Sequence, residues 1–157
     1  MIAKRFSLYY FLHIYQGKVV LLKKSILYRK KNIRLIYKAY NMFTQYLQAL
    51  DRQPIGSLVE KIKNERLCMA WPIEEIVKAT MFASRIHPFS KCLDRSLVLA
   101  TLLRRSGYSF CFNIGLQAND LTQGHAWIEI NVDGQSKMID FYEKRNDLVV
   151  AQSWQIE

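Results

Sequence analysis

Residues 90–117 read SKCLDRSLVLATLLRRSGYSFCFNIGLQ, and inside them the hydrophobic period switches from that of a helix to that of a strand. The run LVLATLL, residues 97–103, is apolar on nearly every side except at Thr101. That is the pattern of a helix buried all round. Ser90 or Lys91 stands at its N-cap, and Gly107 is a natural left-handed stop after Ser106. Beyond the stop, Tyr108, Phe110, Phe112, Ile114 and Leu116 fall at every second position and share one face of a strand. A central helix running straight into a half-buried strand predicts an α+β fold.

Downstream, the polar stretch ANDLTQG (118–124) reads as a loop and HAWIEI (125–130) as a second strand. Asp133-Gly134 makes a two-residue hairpin turn, and KMIDFY (137–142) returns antiparallel. Upstream, Ile33, Ile36, Tyr37, Tyr40, Phe43, Leu47 and Leu50 recur at steps of three and four, so a helix with one broad apolar stripe is expected over 32–50. DRQPIG breaks it, and Ser57 is positioned to cap a short helix at 58–67. Pro72 followed by Glu74 and Glu75 starts another helix, which His87-Pro88 ends. The expected organisation is a basic helical N-terminal region over 1–80 and a catalytic core over 81–157.

The 157 residues are half hydrophobic, enough for a real core, and carry a formal net charge of +10. The charge is uneven: residues 1–40 hold ten Lys and Arg and no Asp or Glu. Three cysteines, at 68, 92 and 111, form no CxxC pair, which argues against a disulfide framework and for a reducing compartment. No apolar run is long enough to span a bilayer, and the opening MIAKRFSLYYFLHIYQGK lacks a small-residue cleavage site, so a cytoplasmic location is expected. No glycine-rich phosphate loop is present, and no nucleotide or other cofactor is expected.

Cys92 at the first turn of the buried helix is the residue with chemical potential, because a helix N-terminus favours a thiolate. A thiolate becomes a useful nucleophile when an imidazole handles its proton and a third group orients the imidazole. His125, opening a strand after a Gly-containing loop, supplies the imidazole. With Asp133-Gly134 at the turn, Trp127 faces Asp140, which places Asp140 diagonally from His125 on the same sheet face. Asp133 is roughly 26 Å along an extended strand from His125, and Asp94 points away from Cys92 on the helix. Asp120 remains the weaker alternative. A zinc set of His87, Cys92, His125 and Asp140 is conceivable but lacks a short CxxC or HxxxH nucleus. Cys68 and Cys111 read as packing residues.

Cys at a helix start, His on a strand and Asp on the next strand resemble the transglutaminase-like cysteine enzymes, with a transglutaminase-like or papain-like core. More narrowly, CLDRSLVLATLLRRSGY, FNIGL, HAWIEI and MID resemble the leader peptidases of lasso-peptide biosynthesis in their short, stand-alone form. The resemblance covers residues 90 to about 142 and departs in a longer hairpin between His125 and Asp140. It implies Cys92 as nucleophile, His125 as general base and acid, and Asp140 as orienting carboxylate, with no metal. It also implies partners: a precursor peptide whose leader is removed, a small leader-recognition protein and a lasso cyclase.

Two other functions use the same residues differently. An acyltransferase or transglutaminase would keep the triad and use an amine in place of water. A non-catalytic scaffold or binding module would rely on the basic segment. Nucleic acid is not the expected partner, because the 108–116 strand interleaves no Lys or Arg with its aromatics. Residues 4–38 are expected to dock on the partner protein or, peripherally, on the inner membrane face.

Overall fold

The structure is a computed structural model that describes residues 30–68, 70–118, 120–132, 134–139 and 147–157. Most of the basic 4–38 stretch therefore lies outside the described residues, as do Asp133 and Asp140. The chain forms two compact units, Met1–Arg34 and Leu35–Glu157. Of the first, residues 30–34 are described, and they form the opening of a helix.

Four helices come first: α1 (Lys30–Leu50), α2 (Ile55–Lys63), α3 (Ile73–Ile86) and α4 (Cys92–Arg105). Four strands follow: β1 (Phe110–Gln117), β2 (Asp120–Val132), β3 (Gln135–Ile139) and β4 (Leu148–Ile156). They form one antiparallel sheet in the order β3-β2-β1-β4. The expected α+β class is what the chain adopts.

α4 is central, as its all-round apolar pattern predicts: Leu97, Val98, Leu99, Ala100, Leu102 and Leu103 are all fully buried. It packs against α3, α2 and β2. Its C-terminal end is tied down by its two arginines. Arg104 Nε donates to the Lys63 carbonyl at 3.0 Å, and Arg105 forms a two-pronged pair with Glu65 at 2.9 and 3.0 Å. Removing core volume here should be costly. Leu99→Ala is expected to lose about 2–5 kcal/mol of stability, read as a lower midpoint in denaturant unfolding with unchanged slope.

The α1 stripe is rotated from the expected one. Leu35, Ile36, Ala39, Met42 and Phe43 are buried, while Ile33 and Tyr37 are 45% and 64% exposed. This helix is apolar or aromatic over so much of its circumference that periodicity alone does not select the buried face. α2 begins three residues earlier than expected, with Pro54 at the N-cap, and ends at Lys63. Ser57 therefore lies inside the first turn and is no cap. Proline's fixed φ and missing N–H suit a helix entry without help from a side chain.

On the sheet, the expected hairpin register holds: Val132 pairs with Gln135 and, in step, Ile128 with Ile139. Gly134 takes φ 78°, which the turn requires. Two features were not expected. The 120–124 stretch belongs to β2 rather than to a loop, and a bulge absorbs the change, with Leu116 pairing to Gly124 but Gln117 to Asp120. β4 also adds a fourth strand beside β1, with Phe112 meeting Trp154 at a ring separation of 5.9 Å.

Candidate active site

α4 begins where the α3–α4 connection turns, and its first residue is Cys92. The turn is held by three bonds. Ser90 Oγ donates to the Ser84 carbonyl at 2.7 Å, Arg95 Nη2 donates to the Ser90 carbonyl at 3.1 Å, and the Lys91 N–H donates to Asp94 Oδ2 at 3.0 Å. Asp94 thus caps the helix entry with its carboxylate, turned back to Lys91. Burial holds its pKa above the usual carboxylate range.

The half-buried Cys92 thiol meets β2 at residues 124–126. It hydrogen-bonds the His125 side chain, its sulfur lies 4.0 Å from the Gly124 carbonyl, and the backbone N–H groups of Ala126 and Leu93 hydrogen-bond it as well. The pKa of this thiol is lowered. The His125 bond is the largest cause, burial opposes it, and the imidazole's charge and the two N–H groups add to the lowering. His125 is itself 3% exposed, with its ring nearly parallel to Trp127 at 17° and a centroid separation of 6.1 Å. A depressed thiol bonded to a buried imidazole at a helix N-terminus is the equipment of a cysteine nucleophile.

One contributor went unrecognised in the sequence. Ser96, one helical turn past Cys92 and 1% exposed, donates from Oγ to the Ala126 carbonyl at 2.8 Å. It pins the nucleophile's helix to the strand residue next to His125. Its signal was a hydroxyl at the fourth position after Cys92, directly before the apolar run 97–103. Ser96→Ala leaves a strand carbonyl without this partner and is expected to cost about 1–3 kcal/mol, read by thermal or denaturant unfolding.

The remaining expected residues are placed as follows. Asp140 lies outside the described residues. Asp120 opens β2, paired with Gln117. His87 packs its ring against Tyr40 and Phe43, at 5.1 and 5.5 Å, and burial lowers its pKa. Among the described residues, no three His, Cys, Asp or Glu side chains converge as a metal set. Cys68 is exposed, while Cys111 contacts Gln155 on β4.

The family model of the transglutaminase-like superfamily matches residues 43–152, from within α1 into β4. The chain belongs to the transglutaminase-like superfamily. No curated protein and no solved structure matches it. Superfamily membership makes cysteine peptidase or acyl-transfer chemistry the relevant class. Among the described residues, no helix is long and apolar enough to cross a membrane.

Proposed function

We propose that this superfamily member is a cysteine peptidase that removes the leader from a lasso-peptide precursor. The observation that carries the proposal is the Cys92–His125 hydrogen bond at the start of α4, which holds the thiol low. The motifs around these residues, CLDRSLVLATLLRRSGY and HAWIEI, supply the narrower assignment by their likeness to the leader peptidases.

In this reading the Cys92 thiolate attacks the last leader carbonyl, and a sulfur–carbon bond forms. His125 gives its proton to the departing amine as the carbon–nitrogen bond breaks, which frees the N-terminus of the core peptide. Water then attacks the thioester with His125 taking its proton, the sulfur–carbon bond breaks to return the Cys92 thiolate, and the leader leaves as a carboxylate. The Cys92 backbone N–H is the candidate oxyanion donor, and Asp140 is the candidate orienting carboxylate. A separate leader-binding protein presents the substrate, a lasso cyclase consumes the product, and residues 4–38 dock on that partner or peripherally on the inner membrane face. The work takes place in the cytoplasm.

The test is the mass of products from a leader-bearing precursor incubated with the protein and its leader-binding partner. Leader and core fragments summing to precursor plus one water are expected. A leader joined to an added amine would instead make the protein an acyltransferase. An intact precursor, with a partner shown to bind, would overturn catalysis altogether.

A further inference from the structure

On β2, His125, Trp127 and Glu129 alternate along one face, and the cross-strand partners of His125 and Trp127 on β1 are Gly115 and Asn113. Trp127 is 1% exposed, and two contacts fix where its indole lies. Its Nε1–H donates to Glu129 Oε1 at 2.9 Å, which fixes one end of the ring. The other end lies over Gly115. A Cβ built at Gly115 would meet first the Val149 carbonyl oxygen and then two indole carbons at 2.8 and 3.0 Å, so the ring, together with that carbonyl, fills the space a larger residue would need. From that seat the indole runs nearly parallel to the imidazole of His125.

From these contacts we infer that Trp127 and Glu129 are positioning residues for His125: Glu129 holds the indole over Gly115, and the indole holds the imidazole in the orientation that reaches Cys92. Neither residue touches the sulfur. Parallel rings at this separation restrict the imidazole's rotation about its side-chain torsions, and an aromatic contact of this kind contributes about 0.5–1.5 kcal/mol. Glu129 acts one step further out, since losing its acceptor releases the indole and, through it, the imidazole. Among the described residues, the titratable groups against this array include Cys92, beside His125, and Cys111, opposite Glu129 on β1. The inference rests on Cys92 and His125 being the reactive pair.

The measurement is the pH dependence of Cys92 alkylation by iodoacetamide, read site by site from peptide masses in the full chain, alongside thermal melting. For wild type, a midpoint below that of an ordinary thiol is expected. Glu129→Ala and Trp127→Phe should raise that midpoint and slow alkylation on its acid side, by up to about tenfold for a midpoint that rises by one pH unit. Glu129→Gln keeps an acceptor oxygen and should restore the wild-type profile. Glu129 is only half-buried, so its truncation tests the inference even if the Trp127 variant melts early. Folded Glu129→Ala protein with an unmoved midpoint would overturn the positioning role. A wild-type Cys92 with an ordinary midpoint would overturn the reactive pair itself and, with it, the peptidase reading.

Discussion

A Cys92→Ala variant is expected to leave a leader-bearing precursor uncut, with turnover lower by about five to six orders of magnitude. In the proposed reaction the sulfur is the atom that bonds to the scissile carbonyl, and alanine offers nothing in its place. His125→Ala should lose nearly as much, because in that proposed reaction the imidazole both generates the thiolate and protonates the leaving amine. Groups that act as one unit do not add, so the double variant should be no slower than the worse of the two. Single-turnover product formation, followed by mass with the leader-binding partner present, measures all three. A His125→Ala enzyme within about tenfold of wild type would remove the imidazole from proton transfer.

The second large effect is on pH dependence. Because the Cys92 pKa is lowered, its thiolate persists as the medium is acidified through a range where an ordinary thiol has become protonated and slow. In His125→Ala, the largest cause of lowering is gone while burial still pushes upward, opposed by the Ala126 and Leu93 N–H groups. The alkylation midpoint should therefore move up. At a given pH below it, Cys92 labelling slows about tenfold for every pH unit by which the midpoint rises. Exposed Cys68, labelled in the same sample, reports reagent and pH effects unrelated to the site. An unmoved midpoint would mean that the helix entry, and not the imidazole, sets the thiol.

Cys92 and His125 were legible in the sequence because each sits where a pattern breaks: one at the first turn of an apolar helix, the other at a strand after a glycine. α3 and α4 were legible through Pro72, His87-Pro88 and Gly107, and the hairpin through Asp133-Gly134. The hairpin turn set the pairing of Ile128 with Ile139 without any knowledge of the rest of the sheet. What escaped notice was structure whose stability comes from ladder bonds rather than burial. β4 buries only Ile156, so LVVAQSWQI shows no alternation that a core would impose. The 120–124 stretch is polar and joins β2 by pairing across a bulge, which leaves no compositional trace. Ser96 and Glu129 look like ordinary polar residues until the fold supplies the Ala126 carbonyl and the Trp127 indole.

β2 carries two alternating sets of residues. Ala126, Ile128 and Ile130 fall in line with Ile114, Phe112 and Phe110 of β1, while His125, Trp127 and Glu129 occupy the positions between. A slip of one residue in this strand would exchange the two sets and drive histidine and glutamate into a hydrocarbon layer. A misregistered molecule would therefore forfeit its core together with its chemistry and be cleared as unfolded protein. The folded population should be uniformly competent, so that active-site titration of a purified sample should count as many reactive thiols as folded chains.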